Sequence, residues 1–210
     1  NILAPEDNPI ALNDYDWHMA LIRDVTAQYS PGSIPISLHA GELTPQLVSA
    51  DELKDHIQKA ISVAGAQRIG HGISITYESD YRSLLSKMAS EEILVEINLT
   101  SNDVILDVVG DDHPFQTYLN AGVPLAISTD DEGVSRIDLS TEYQRAVESY
   151  NLGYEQLKRL SRNSLEYSFS SGESLFENVS KNIKKDVCLS YGTQCEEFLS
   201  RQLKARLQWE

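Results

Sequence analysis

One pattern recurs along the chain: a short apolar segment ends abruptly in polar residues of the types that take part in catalysis. Four such ends fall near residues 39, 71, 101 and 130. Their spacing of about 30 residues is the length of one β-strand with its crossover helix. The pattern therefore predicts a parallel sheet whose strands finish in polar residues at one edge.

Helical patterns lie between these segments. Ser49 and Glu52 have the spacing of a capping box, and apolar residues follow at helical intervals as far as Gly65, so we expect a helix to begin after Ser49. Shorter helices are predicted around 84–88 and 115–119, and residues 170–192 are expected to form helices joined by loops. Beyond residue 139 we expect mostly helices, with apolar stripes at Leu157, Leu160 and Leu165 and at Phe198, Leu199, Leu203 and Leu207.

Two α/β architectures fit this alternation, a doubly wound sheet and a (β/α)8 barrel. No glycine-rich phosphate-binding sequence follows a strand, and polar residues end several strands, which favours the barrel. Four to five strands are counted, the fifth being Asn1-Ile2-Leu3. A complete barrel has about 250 residues, so the chain is either an open sheet or a barrel without its first half. We expect one partial domain over 1–210, with βα units in 1–138 and a helical segment in 139–210.

The charge balance bears on partners and compartment. A formal net charge of −15 repels phosphate backbones, so we expect no nucleic-acid partner. No apolar run reaches the roughly 20 residues that span a bilayer, so we expect no membrane partner either. The chain begins at Asn1 without a methionine, which leaves a processed or truncated product open. A cytoplasmic and a periplasmic or secreted location both remain open.

The two cysteines, Cys188 and Cys195, lie close together without a histidine or a second cysteine pair, so they do not resemble zinc ligands. Either they form a local disulfide, which would fit an oxidising compartment, or they are two separate buried thiols. The turn-forming residues Ser190 and Gly192 between them favour the bridge.

The polar strand ends supply the chemistry. His39, Glu42, His71, Asp130 and Asp131 come from three strand ends that would converge on one pocket in a barrel. Zinc binds imidazole nitrogen and carboxylate oxygen, so His39 and Asp130 are candidate ligands. Zinc lowers the pKa of water, and a second histidine and an unligated carboxyl group would then handle protons.

Each residue also has a structural interpretation. A strand-end histidine is often a hydrogen-bonded structural residue, and an Asp-Asp pair is often a turn or helix cap. His71 lies between two glycines, which suggests a tight backbone with an exposed imidazole. Glu96, inside an apolar strand, is either a barrel-interior partner or an edge charge. Three further histidines are expected at the surface or at caps: His18, His56 and His113.

Four motifs in order make the chain similar to a known family. They are Ser37-Leu38-His39-Ala40-Gly41-Glu42, Arg68-Ile69-Gly70-His71-Gly72, Leu99-Thr100-Ser101-Asn102 and Ser128-Thr129-Asp130-Asp131. In this order and spacing they resemble the adenosine deaminase family over about residues 1–170. The resemblance implies the C-terminal half of a (β/α)8 barrel, about strands 4 or 5 to 8, followed by C-terminal helices.

The resemblance also implies a zinc-dependent reaction and a role for each matching residue. His39 on strand 5 and Asp130 on strand 8 would bind zinc, and Glu42 would donate a proton to purine N1. His71 on strand 6 would orient or deprotonate the attacking water. Asp131 would hydrogen-bond purine N7, and Gly41 would let the backbone approach the substrate. Addition of hydroxide at C6 and loss of ammonia would convert adenosine or deoxyadenosine to its inosine product.

Two departures from the family pattern stand out. The chain has no His-x-His zinc pair, and Ala4-Pro5-Glu6-Asp7 stands where the family has a glycine whose backbone contacts the purine. We therefore expect weak zinc binding and little deamination from these residues alone. A deaminase of adenine or another aminopurine, and a non-catalytic nucleoside-binding module, are alternatives. Self-association or an N-terminal half would cover the open sheet edge.

Overall fold

The computed structural model describes residues 4–30 and 32–210. The predicted first strand, Asn1-Ile2-Leu3, lies outside the described residues. The described chain forms two compact units, one ending at Asn151 and one running Leu152–Glu210. A single partial domain over 1–210, divided near residue 138, stays a prediction.

A parallel sheet forms the centre of the first unit. In spatial order its strands are β1 Ser37–Ala40, β2 Arg68–His71, β3 Leu94–Ile97 and β4 Leu125–Ile127. Leu38 pairs with Ile69, and Ile97 pairs with Ile127, so each strand lies beside its neighbour in sequence. This parallel order confirms the predicted sheet and brings all four carboxyl ends to one edge.

Helices connect the strands and bury their apolar faces. Tyr118, Phe115, Met88 and Ile57 are fully buried beside a sheet whose Leu94 is also inaccessible to water. Each such side chain contributes about 1.5–3 kcal/mol by leaving water. The helices of this unit are α1 Pro9–Asn13, α2 Tyr15–Thr26, α3 His56–Ser62, α4 Tyr81–Ser90, α5 Leu99–Leu106, α6 Phe115–Ala121, α7 Glu132–Ser135 and α8 Leu139–Tyr150.

The predicted start of α3 is wrong. The helix begins at His56, and residues 49–55 form turns and bends instead of the helical turns expected after Ser49. Glu78, from another part of the chain, accepts the backbone N–H groups of Ile57 at 2.7 Å and Gln58 at 3.4 Å. A distant carboxylate thus satisfies the orphan donors that a local capping box was expected to satisfy.

The second unit differs from its prediction in two places. Its elements are α9 Tyr154–Glu166, β5 Phe176–Asn178, β6 Ile183–Lys184, α10 Thr193–Arg201 and α11 Leu203–Trp209. The strands β5 and β6 form an antiparallel hairpin within 170–192, where helices and loops were expected. The residues of the last apolar stripe lie on two helices instead of one, because Gln202 adopts an extended backbone (φ −119°, ψ 97°) between α10 and α11.

A disulfide joins Cys188 and Cys195 in the second unit. Both residues are buried with Leu175, Phe176 and Leu199 in a small apolar core. The bridge favoured on the turn-forming residues between the cysteines is therefore present. Within the described ranges, no helix combines the length and the hydropathy that a bilayer-spanning segment needs.

Candidate functional site

The strand-end residues meet at the carboxyl edge of the sheet. His39 lies on β1, His71 ends β2, and Asp130 follows β4. The Nε2 atom of His71 is 3.6 Å from Glu42 Oε2 and 3.9 Å from Asp130 Oδ2. The His39 and His71 rings are 4.7 Å apart, edge to face, and His39 Nδ1 is 3.9 Å from Glu42 Oε2. The structure thus brings together four of the side chains that the sequence predicted.

Asp131 is placed less centrally than these four. It directly precedes α7, and its side chain is exposed. Its charge is nevertheless close enough to help raise the pKa of Glu42. Asp131 is therefore at the rim of the cluster, beside Asp130.

The backbone at this edge is strained in ways that fix side-chain direction. His71 and Asp130 both adopt the left-handed region, with φ of 69° and 54°. A non-glycine residue held there costs on the order of 1–3 kcal/mol and often marks a functional position. Gly41 has φ of 72°, and an added Cβ would lie 2.7 Å from Ile57 Cδ1 and 2.8 Å from Ser74 Oγ. Only glycine fits this turn without movement of its neighbours.

Glu6, for which no role was predicted, holds that turn by accepting two of its backbone N–H groups. Its Oε1 accepts the Gly41 N–H at 2.9 Å and its Oε2 accepts the Glu42 N–H at 2.8 Å. His56 Nδ1 lies 2.6 Å from Glu6 Oε1, and its ring stacks on Tyr15 at 3.8 Å. Burial alone would raise the pKa of Glu6, but the His56 and backbone hydrogen bonds bring it below its usual value.

The pKa of Glu42 is shifted in the opposite direction from that of Glu6. Burial, followed by the charge of Asp130 and other carboxylates, raises the pKa of Glu42 to about 7. A carboxyl group with this pKa is partly protonated at neutral pH. It can therefore donate a proton, as a general acid must.

His71 is buried, contrary to the exposed imidazole predicted from its flanking glycines. Burial, with the neighbouring His39, lowers the pKa of His71 to about 4, so the ring is neutral at neutral pH. Its Nδ1 lies 3.0 Å from Asn102 Nδ2 and 3.4 Å from Asn98 Nδ2. Its Nε2 is buried and has no hydrogen-bond partner among the described residues. A buried polar atom left in this state points to a ligand that it meets.

Three side chains of this cluster are close enough together to bind one metal ion. His39, Glu42 and His71 offer ligand atoms that all lie within 4.8 Å of one another. Asp130 lies beside this set, and the Ser101 hydroxyl donates to its Oδ2 at 2.8 Å. Imidazole nitrogens and carboxylate oxygens fit zinc, and the orphaned Nε2 of His71 fits a bound species in the same space.

Three histidines expected at the surface or at caps are all buried, so the surface prediction is wrong, but His113 Nδ1 accepts the Phe115 N–H at the start of α6 as a capping residue does. His18 lies inside α2, His56 pairs with Glu6, and His113 bonds Asn102. Burial lowers the pKa of His113 to about 4. Glu96 is partly buried and forms an ion pair at 2.8 Å with Arg68 on the neighbouring strand.

A parallel sheet with imidazole and carboxyl groups at its carboxyl edge is the arrangement of metal-dependent hydrolases built on (β/α)8 barrels. The family model described as adenosine deaminase matches residues 27–185. The chain therefore belongs to the adenosine deaminase family, which confirms the resemblance of its motifs.

Individual relatives agree with this assignment. The chain is 33% identical to an adenosine deaminase of Enterococcus faecalis over 163 residues, 77% of this chain and 45% of that protein. An N6-mAMP deaminase of Arabidopsis is 33% identical, with a TM-score of 0.51, over 65% of this chain and 37% of the other. An adenine deaminase of Arthrobacter aurescens, 22% identical with a TM-score of 0.58 over 73% and 44%, shares the fold. The chain spans less than half the length of these relatives, and its sheet is part of a (β/α)8 barrel.

Proposed function

We propose that the chain supplies the C-terminal half of the active site of a zinc-dependent deaminase that removes the 6-amino group of adenosine or deoxyadenosine. The observation that carries the proposal is the pairing of a half-buried carboxyl group, Glu42, with the orphaned Nε2 of His71, 3.6 Å away. Glu42 can donate a proton, and His71 Nε2 faces the same space. Hydrolytic deamination requires a proton donor and a group that positions water.

Zinc would be held by His39 and Asp130 on this side of the site. The two residues present a nitrogen and an oxygen at the same sheet edge, and Ser101 holds the Asp130 carboxylate in place. Bound zinc supplies Lewis acidity, which lowers the pKa of water. Two protein ligands leave positions for further ligands, so these residues alone would hold zinc weakly.

The chain's own groups would then act on the purine. Glu42 would protonate N1, which makes C6 more electron-poor, and His71 would orient the water that adds there. Asp131 would hydrogen-bond N7. The Gly41 N–H already donates to Glu6, so Gly41 would contribute close backbone approach rather than a donor. Water enters at C6 and ammonia leaves, so adenosine gives inosine.

The proposal also names the purine substrate. The Enterococcus faecalis relative is named for adenosine, whereas the equally identical Arabidopsis relative is named for N6-mAMP. We place adenosine first because the adenosine deaminase family model covers most of the chain. N6-methyl-AMP is the second candidate, and an assay with both substrates separates them.

The test measures conversion of the purine to its 6-oxo product with zinc present, because adenosine releases ammonia whereas N6-methyl-AMP would release methylamine. It compares the 210-residue chain with its full-length gene product, and we expect turnover in the full-length product and little in the 210-residue chain. Glu42→Gln should lower kcat by about 10²-fold or more, as loss of a general acid does. Glu177→Gln, an exposed residue on β5, is the matched control. Failure to deaminate any aminopurine would overturn the function, and an active Glu42→Gln variant would overturn the proton donor.

A further inference from the structure

A buried line of hydrogen bonds leads from the backbone of α6 to His71. The Phe115 N–H donates to His113 Nδ1 at 3.1 Å. His113 Nε2 lies 3.2 Å from Asn102 Oδ1, and Asn102 Nδ2 lies 3.0 Å from His71 Nδ1. All three side chains are almost wholly shielded from water: His71 0%, Asn102 0% and His113 2% exposed.

The first hydrogen bond of this line determines which atom donates in each of the others. A backbone N–H can only donate, so His113 Nδ1 must accept and the neutral His113 ring carries its proton on Nε2. That N–H donates to Asn102 Oδ1, which leaves the Asn102 NH2 group facing His71. His71 Nδ1 must then accept, so the proton of the neutral His71 ring lies on Nε2.

Asn98 is the other amide beside His71 Nδ1, and it does not reverse this order. Its Nδ2 is 3.4 Å from His71 Nδ1, against 3.0 Å for Asn102. Hydrogen bonds weaken as they lengthen beyond about 3.2 Å. Among the described residues Asn98 Oδ1 has no hydrogen-bond partner, so no backbone donor fixes its amide in the way that Asn102 is fixed. The shorter, anchored contact therefore decides the tautomer.

We propose that Asn102 and His113 are positioning residues that hold His71 in the tautomer with its proton on Nε2. His71 then meets the reaction site as a hydrogen-bond donor rather than as a lone pair. Its Nε2–H points into the space bordered by Glu42 and Asp130, both within 4 Å. This deepens the proposed function and rests on it for the catalytic consequence: the neutral ring orients water through its N–H, so removal of the water's proton falls to another group.

The tautomer can be read without any activity. The chain has five histidines, so a long-range ¹H–¹⁵N correlation spectrum of ¹⁵N-histidine-labelled protein is simple to assign. For the unmodified chain near neutral pH we expect His71 to show a protonated, pyrrole-type Nε2 and a pyridine-type Nδ1. A protonated Nδ1 in this spectrum would overturn the proposal, and this reading requires no variant to fold.

Two substitutions sharpen the spectrum. Asn102→Asp replaces a donor by an acceptor of the same shape, so His71 Nδ1 should gain a proton and move to the pyrrole-type position. Asn120→Asp, on an exposed position of α6, makes the same chemical change and should leave the His71 pattern unaltered. His113→Gln keeps a donor toward Asn102 and should preserve the wild-type pattern, whereas His113→Leu should mix the two tautomers. A pyridine-type His71 Nδ1 that persists in Asn102→Asp would contradict the proposed role of Asn102.

Kinetics in the full-length gene product test the consequence. Asn102→Asp should lower kcat with adenosine by about 10²-fold, while KM changes far less, because only the group that orients water is altered. His113→Gln should retain most of the activity that His113→Leu loses. If the spectrum shows the expected tautomer and no aminopurine is turned over, the tautomer assignment stands and the proposed function fails. If turnover is present and His71 Nδ1 bears the proton, only the tautomer assignment fails.

Discussion

The two units of the chain both bury apolar side chains but differ in what accompanies that apolar core. At the sheet edge of the first unit, polar side chains are buried and the backbone is strained: Glu6, Asn102 and His113 are hidden from water, and His71 has a positive φ. The second unit has a small apolar core closed by a disulfide and a hairpin. Backbone strain and buried polar side chains are concentrated where the chemistry is proposed, whereas the second unit has a disulfide within its apolar core.

The largest expected loss of stability comes from Glu6. Glu6→Ala removes the acceptor of two backbone N–H groups and leaves His56 unpaired in a buried site. Breaking such a pair costs about 3–5 kcal/mol. Urea unfolding should show this loss, and Glu177→Ala should show almost none. A loss below about 1 kcal/mol would mean that the turn under Glu42 does not depend on Glu6.

The disulfide should matter next, and in the second unit. Replacement of both Cys188 and Cys195 by serine removes the closure of a short loop with a sequence separation of 7. Loop-closure entropy predicts a loss of about 2.5 kcal/mol. Thermal unfolding with and without reductant measures it. An unchanged midpoint would show that the apolar core alone stabilises this unit.

A buried carboxyl group should make stability fall as the solution becomes less acidic. Burial raises the pKa of Glu78 to about 7, against an ordinary value of 4.5, so the folded chain holds this proton more tightly than the unfolded chain. The stability linked to Glu78 is present below pH 4.5 and is lost as pH rises through about 7. Glu78→Gln keeps the acceptor for Ile57 and should remove most of this pH dependence, because glutamine cannot bind the proton.

The control for this prediction is the same pH series on an exposed position, Glu177→Gln, which should follow the unmodified chain. A Glu78→Gln variant whose stability still falls by the same amount between pH 4.5 and 7 would contradict the assignment. Some other group would then hold the proton.

Ser101 should have the smallest effect. Ser101→Ala removes the hydroxyl that donates to Asp130 Oδ2 and leaves the helix α5 otherwise unchanged. Loss of such a supporting hydrogen bond lowers metal affinity by about 10-fold or more. Competition with a chelating dye in the full-length gene product measures zinc affinity. An unchanged affinity would show that Asp130 needs no support or does not bind the metal.

The sheet and its polar edge were predictable because both follow from local pattern. Each strand is an apolar segment, and parallel strands must place their ends together, so His39, His71 and Asp130 converge. The start of α3 was not predictable, because its cap is Glu78, 21 residues from Ile57 along the chain.

The supporting residues escaped prediction for the same reason. Glu6 acts on Gly41 across 35 residues, and Asn102 acts on His71 across 31. Sequence spacing does not reveal such pairs without the fold. The position of Asn102 in a strand-end motif was visible, but its partner was not.

Anomalous X-ray scattering from a zinc-soaked crystal of the full-length gene product tests most directly whether this sheet edge holds zinc. We expect zinc within about 2.0–2.2 Å of a His39 nitrogen and an Asp130 oxygen, with Glu42 and His71 outside bonding distance. Zinc bonded to the Glu42 carboxylate would contradict this expectation, because the proposed proton donor would then be a ligand.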